Sequence, residues 1–153
     1  MSAKHILHLS SEYPPQKVFG LGRFVRDLAV AQARRGDRVT VVTNSIGGSE
    51  FDVERRGVHV CRVAFPPPPK PPLSNGQVLQ FNTMALDRAL EAAEGEEWDL
   101  TNVHDWYLVP AGRVLNRHMD LPVVFTVHDT VVGKRFGRLD NATKFVGNAE
   151  VWG

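Results

Sequence analysis

The sequence has 153 residues, which is enough for one domain with a substantial hydrophobic core. Its formal net charge is +1, so no large surface of one sign would recruit nucleic acid or an anionic membrane. No apolar run approaches the ~18 residues of a membrane helix, and the first residues lack a signal-peptide pattern, so we expect a cytoplasmic protein. The single cysteine, Cys61, cannot form an internal disulfide and is interpreted as a small buried residue rather than a reactive thiol.

Short apolar runs alternate with longer segments of helical period along the chain. The first run, HILHLS, precedes a helical repeat over residues 24–32, and Gly36 is placed to end that helix. The later runs are short and rich in β-branched residues, which is typical of strands. The pattern predicts strands at residues 5–10, 38–43, 58–64, 99–104 and 122–128, and further helices at residues 75–94, 110–118 and 141–152.

This alternation is typical of βαβ units. It predicts an α/β fold, an open, doubly wound parallel sheet of the Rossmann type in a single domain over residues 1–153. Right-handed crossovers place every loop that follows a strand on one edge, where open α/β sheets bind ligands. The prolines of residues 65–72 predict a stiff connector there, which we favour over a ligand for aromatic grooves. The loops predicted at the ligand edge are residues 11–22, 44–50, 65–72, 104–107 and 128–138.

The first of these loops combines two glycines with a cation directly before a helix. Gly20 and Gly22 would let backbone N–H groups approach an anion, and Lys17 adds a positive charge suited to phosphate. The loop is not a dinucleotide fingerprint, because Val25 stands where the third glycine would be, and a Walker A loop is absent. A tight turn that simply needs two glycines is the alternative.

Two other loops begin with a histidine at the end of a predicted strand. His104, Asp105 and Trp106 follow the fourth strand, and His128 and Asp129 follow the fifth. A metal site built from these histidines and aspartates is conceivable, although neither segment has a zinc spacing. A Ser/His/Asp triad would lack its G-x-S-x-G elbow. The alternative for each histidine is a strand-end residue that caps a carbonyl or the next helix.

The order of these segments resembles the N-terminal domain of retaining GT-B glycosyltransferases, especially glycogen and starch synthases. That family has S-x-E-Y-P-P after its first strand, a K-V-G-G-L-G-type loop, R-G-H-x-V, H-D-W, F-T-x-H, and a G-R stretch before an E-x-W helix. The resemblance spans nearly the whole chain. The corresponding segments here are residues 10–15, 17–22, 35–39, 104–106, 125–128, 133–135 and 150–152.

The resemblance also implies roles for residues. In the family the glycine loop lies beside the donor pyrophosphate, and Phe19 stands here at the position of the first loop glycine. The histidine of F-T-x-H contacts the transferred sugar, which implies a catalytic role for His128. The implied reaction moves glucose from ADP- or UDP-glucose to a glucan with retention, without an essential metal or other cofactor. The implied substrate-binding residues are Lys17, Gly20, Gly22, His104, Asp105 and Trp106.

Family members continue into a second Rossmann-like domain, and their active site lies between the two halves. The resemblance therefore implies that the C-terminal donor-binding domain is absent from this chain and that the chain alone is inactive. Surfaces uncovered at the C-terminal end lead us to expect self-association. The main alternative is a stand-alone sugar- or nucleotide-binding α/β module without catalysis. A receiver-type signalling domain would need an acidic cluster at the strand ends, which the sequence lacks.

Overall fold

The computed structural model describes residues 2–15, 19–45, 51–65, 74–130 and 141–152. Six strands form one sheet in the order β3-β4-β2-β1-β5-β6, with β3 antiparallel to β4 and the other pairs parallel. The strands are β1 (His5–Ser10), β2 (Arg38–Asn44), β3 (Phe51–Arg55), β4 (Val58–Val63), β5 (Leu100–His104) and β6 (Val123–Thr126).

Helices cover both faces of this sheet, as a doubly wound fold requires. One face carries α1, and the other carries α2 and α3, which also contact each other. A 3-10 turn links β5 directly to α3. The helices are α1 (Gly20–Arg34), α2 (Asn75–Ala93), α3 (Val109–Met119) and α4 (Asn141–Trp152), and the 3-10 turn is Trp106–Leu108.

The core follows from the spacing of apolar residues. Val25, Ala29 and Val30 line one side of α1 and pack on the valines of β2 and β4. On the other face, Phe81 and Ala85 of α2 pack against Leu7, Leu9 and other residues of the central strands. Every residue of β1 is buried, because the central strand of a doubly wound sheet is covered on both sides.

The predicted fold is confirmed, and all five predicted strands are present within two residues of their expected ends. The sequence analysis missed β3, which adds an antiparallel edge to the otherwise parallel sheet. It pairs with β4 through a two-residue hairpin at Arg56 and Gly57, both with positive φ, 56° and 77°. Such a turn matches the twist of a hairpin. All five residues of β3 are exposed, so it lacks the buried apolar run used to recognise the other strands.

The amino ends of the parallel strands form one side of the sheet, the amino edge, and their carboxyl ends form the opposite side, the carboxyl edge. At the amino edge Lys4 pairs with Asp99 at 2.7 Å and Arg38 pairs with Glu96 at 2.8 Å. The carboxyl edge carries the loops predicted to hold a site, but residues 16–18, 46–50, 66–72 and 131–138 of those loops lie outside the described residues. Within the described part of the chain, no helix is long and apolar enough to cross a membrane.

Candidate functional site

Three histidines form a continuous hydrogen-bonded row between the sheet and α1. His8 lies inside β1, His104 ends β5, and His128 follows β6. The Nδ1 of His8 lies 2.9 Å from Nε2 of His104, and Nδ1 of His104 lies 3.3 Å from Nε2 of His128. At the inner end, Nε2 of His8 lies 2.7 Å from Oε1 of Gln32 on α1. We call Gln32, His8, His104 and His128 the histidine row.

Burial keeps the two inner histidines neutral. His8 and His104 are both 0% exposed. Desolvation lowers the pKa of His8 to about 4, although its hydrogen bond to Gln32 opposes the change. Desolvation, with smaller contributions from His8 and His128, lowers the pKa of His104 to about 3. Both rings are therefore uncharged at neutral pH, so each can donate one hydrogen bond and accept one.

Phe24 packs against the outer end of the row. It lies one turn inside α1, and its ring stands edge-on to His128, with 4.9 Å between ring centroids. It also meets His104 edge-on at 6.1 Å. Phe24 is nevertheless 46% exposed, so its ring forms part of the surface beside His128. The N-terminal turns of α1 and the strand-end histidine thus share one patch of the carboxyl edge.

Both glycines of the predicted loop lie at the start of α1. Gly20 begins α1 and Gly22 is buried in its first turn, so both glycines lie in the helix rather than in the loop before it. Added side-chain volume at Gly20 would meet nothing within 4 Å, so the surface there is open. Glu12 places its carboxylate at this helix N-terminus, where Oε2 accepts a hydrogen bond of 2.9 Å from the N–H of Phe19. Lys17 lies outside the described residues.

A buried arginine fixes the loop that carries Glu12. Arg62 is 1% exposed and donates to the carbonyl oxygens of Tyr13, Pro14 and Asn44, at 3.2, 2.6 and 2.8 Å. Its guanidinium also lies over the Tyr13 ring, 6.0 Å from the centroid. These contacts tie the ends of β1, β2 and β4 together beneath the candidate site.

The segment after β5 makes a sharp corner. Asp105 has φ 65° and ψ 168°, a region that non-glycine residues rarely adopt and that costs about 1–3 kcal/mol. Its carboxylate accepts a hydrogen bond of 2.9 Å from the N–H of Trp106 and so caps the 3-10 turn. Trp106 stacks on Tyr107, with ring centroids 4.3 Å apart. Asp105 and Trp106 are both half-buried beside His104 at the carboxyl edge.

The metal site considered from the sequence does not match the arrangement of these side chains. His104 and His128 direct ring nitrogens at each other rather than at a common point. Among the described residues, the one group with metal-like spacing is Asp52, His59 and Cys61, on β3 and β4. There the Asp52 carboxylate lies 3.3 Å from Nε2 of His59 and forms an ion pair with Arg88.

Cys61 matches its interpretation as a buried residue. Its side chain is 0% exposed. Burial, aided by the charge of Asp52, raises the pKa of the thiol to about 12. The thiol is therefore protonated at neutral pH and is a poor nucleophile.

A separate cavity of about 390 Å³ lies between α3 and the edge strand β6. Its walls include Val103, Arg113, Arg117 and Phe125, and no residue of the histidine row. We place the candidate site at the open carboxyl edge rather than in this cavity. The carboxyl edge carries the convergent loops and the neutral histidines, which are polar groups that can bind a ligand.

The structure therefore brings together some of the predicted site residues. Gly20, His104, Asp105, Trp106 and His128 lie at the carboxyl edge, although the ring of His104 is buried behind His128. The sequence analysis missed His8, Gln32 and Phe24. The available signal was a histidine in the middle of an apolar strand, because a buried imidazole requires polar partners.

Residues 19–148 match the glycosyl transferase 4-like domain family. A glycogen synthase of Mycobacterium tuberculosis is 29% identical over 96% of this chain, and an uncharacterized glycosyltransferase of Methanocaldococcus jannaschii is 28% identical over 88%. A D-inositol 3-phosphate glycosyltransferase of Arthrobacter sp. is 31% identical over 71%. The aligned chain spans 39%, 33% and 27% of these relatives.

Solved structures give the same fold. A sucrose-phosphate synthase from Thermosynechococcus elongatus superposes on 96% of this chain, and on 39% of its own, with a TM-score of 0.78 at 15% identity. The catalytic domain of starch synthase IV from Arabidopsis thaliana, bound to ADP and acarbose, superposes on 84% of this chain and 34% of its own with a TM-score of 0.65 at 19% identity. The chain belongs to the glycosyl transferase 4-like domain family and has the fold of the N-terminal domain of a GT-B glycosyltransferase.

Proposed function

We propose that this chain is the acceptor-side domain of a cytoplasmic, retaining glycosyltransferase that moves glucose from ADP- or UDP-glucose to a glucan. The observation that carries the proposal is the position of His128 beside the first turns of α1. A phosphate at the helix N-terminus and a sugar at His128 would then lie on one continuous surface. The alignment with a glycogen synthase supports the choice of a glucosyl donor.

We expect the described residues alone to bind a donor only weakly. The described part of the loop offers a helix N-terminus but also the Glu12 carboxylate, which competes with an anion for the N–H of Phe19. One helix N-terminus and a few hydrogen bonds correspond to a dissociation constant of roughly millimolar. Because transition-state stabilisation would be divided between two domains, we propose that the chain alone has no measurable turnover.

An NMR titration of the chain with ADP-glucose and UDP-glucose tests the binding surface. Amide shifts should concentrate at residues 19–24 and around His128, and glucose alone should produce smaller shifts. His128→Asn should weaken binding, whereas His118→Asn, at the exposed end of α3, should not. Shifts confined to the amino edge around Lys4 and Asp99, or no shifts at tens of millimolar ligand, would refute the site.

A turnover assay tests the second part of the proposal. The chain is incubated with either donor and a malto-oligosaccharide, and chain length is followed by mass spectrometry. We expect no elongation above the buffer rate. Elongation that depends on the protein would show that one domain is sufficient.

A further inference from the structure

The direction in which the hydrogen bonds of the histidine row are donated is set by Gln32 at its inner end. A carbonyl oxygen can only accept, so the Oε1 of Gln32 requires a proton on Nε2 of His8, 2.7 Å away. Because His8 is neutral, its Nδ1 is then bare and must accept from Nε2 of His104. The same reasoning leaves Nδ1 of His104 bare, so that it accepts from Nε2 of His128.

Each ring in the row thus fixes the tautomer of the next. We propose that Gln32, His8 and His104 are positioning residues that hold His128 in its Nε2–H tautomer and leave its Nδ1 bare at the carboxyl edge. There Nδ1 would accept a hydrogen bond from a hydroxyl of the bound sugar. The identity of this ligand rests on the proposed function, whereas the tautomer is a property of the chain alone.

The surroundings of His128 support this role. The two ring nitrogens of an imidazole diverge, so Nδ1 of His128 points away from His104. Nδ1 makes no hydrogen bond to the residues that the structure describes. Phe24 contacts the ring edge-on and restricts its rotation. A neutral acceptor suits a hydroxyl donor, whereas an imidazolium would instead present an N–H.

The specific alternative is a row in which every hydrogen bond is donated in the opposite direction. If the Gln32 amide turned over, its NH₂ group would donate to His8, and every hydrogen bond of the row would reverse. His128 would then carry its proton on Nδ1 and present a donor. The side-chain amide of Gln32 is therefore the group that selects between an acceptor and a donor at the edge.

Long-range ¹H–¹⁵N correlation spectra of the histidine rings in the ligand-free chain measure these tautomers directly. At neutral pH, His8, His104 and His128 should all show a protonated Nε2 and a bare Nδ1. His5 is an internal reference of the opposite kind, because its Nδ1 lies 3.1 Å from the carbonyl oxygen of Glu97 and must donate to it. A protonated Nδ1 at His128, or a mixture like that of a free imidazole, would overturn the proposal.

Two substitutions of Gln32 test whether its side-chain oxygen fixes the tautomer of His128. Gln32→Glu supplies an acceptor only and should retain the Nε2–H tautomer at His128. Gln32→Met has similar length without that acceptor, so the ¹⁵N shifts of the two His128 ring nitrogens should move towards each other. Gln80→Met, on the exposed surface of α2, is the matched control and should change neither. A His128 tautomer that does not respond to Gln32→Met would also overturn the proposal.

Ligand binding separates this inference from the proposed function. Gln32→Met should weaken nucleotide-sugar binding about twofold, because only about half of the molecules would then hold the tautomer that accepts from the sugar, and Gln32→Glu should restore the affinity. Equal affinity of wild type and Gln32→Met would refute the link between the row and the sugar. Absence of binding by wild type would refute the proposed function, and with it the sugar ligand named here, while the tautomer measurement would still stand.

Discussion

His8 and His104 should make the stability of this domain depend strongly on pH. Burial lowers their pKa values to about 4 and about 3, whereas in the unfolded chain both rings titrate near ~6.5. Between these values the unfolded chain binds protons that the folded chain does not. The stability is therefore fully present above about pH 6.5 and falls as the pH falls towards 4. His5, whose pKa is also lowered mainly by burial, acts in the same direction.

The size of the effect follows from the pKa values of these two histidines. Each contributes about 1.4 kcal/mol for every pH unit within the window. From pH 6.5 to pH 5 the two together should remove about 3 kcal/mol from the free energy of unfolding, because at pH 6.5 each unfolded ring is already half protonated. That is a large part of the ~5–15 kcal/mol typical of a domain. Carboxylates with lowered pKa values, such as Asp37 and Asp99, add their effect nearer pH 4, so the test stays above pH 5.

Urea unfolding followed by circular dichroism at pH 7.5, 6.5, 5.75 and 5 measures this free energy. The His8→Phe/His104→Phe double variant replaces both rings with apolar ones and should lose most of the pH dependence. His118→Gln, at the exposed end of α3, should retain it. A free energy of unfolding that changes by less than about 1 kcal/mol between pH 6.5 and 5 would contradict the assignment of both rings as neutral and buried.

Three further substitutions test other parts of the structure. Gly112→Ala would place a Cβ in steric overlap with Cγ2 of Val103, so it should cost about 1–3 kcal/mol in urea unfolding. Val103→Ala should recover part of that cost, and strictly additive effects of the two substitutions would contradict the contact. Glu12→Gln removes the charge at the N-terminus of α1, so it should raise the affinity for inorganic phosphate in an NMR titration, and unchanged or weaker binding would contradict the competition. Arg62→Met removes three hydrogen bonds to carbonyls and should speed amide exchange in residues 11–13, whereas unchanged exchange would show that the loop does not depend on Arg62.

The fold was accessible from the sequence because its signals are local. Buried parallel strands produce short β-branched runs, as in β2, and their helices repeat apolar residues on one side. The strand β3 lacked that signal, since its five residues are exposed and it forms hydrogen bonds to one neighbouring strand, β4. The hairpin turn at Arg56 and Gly57 was the local clue, but only the glycine marks a position that favours positive φ.

The histidine row could not be predicted in the same way, because it depends on how distant strands are aligned. In the sheet, His8 lies opposite Asn102, so His104 is one pleat further along the same face and its ring reaches His8. A slip of one residue between β1 and β5 would turn His104 to the α3 face and break the row. Gln32 joins only because α1 crosses β1 on that face. The sequence predicts that a buried histidine needs partners, whereas register and helix placement decide which residues they are, and with them which nitrogen of His128 faces the edge.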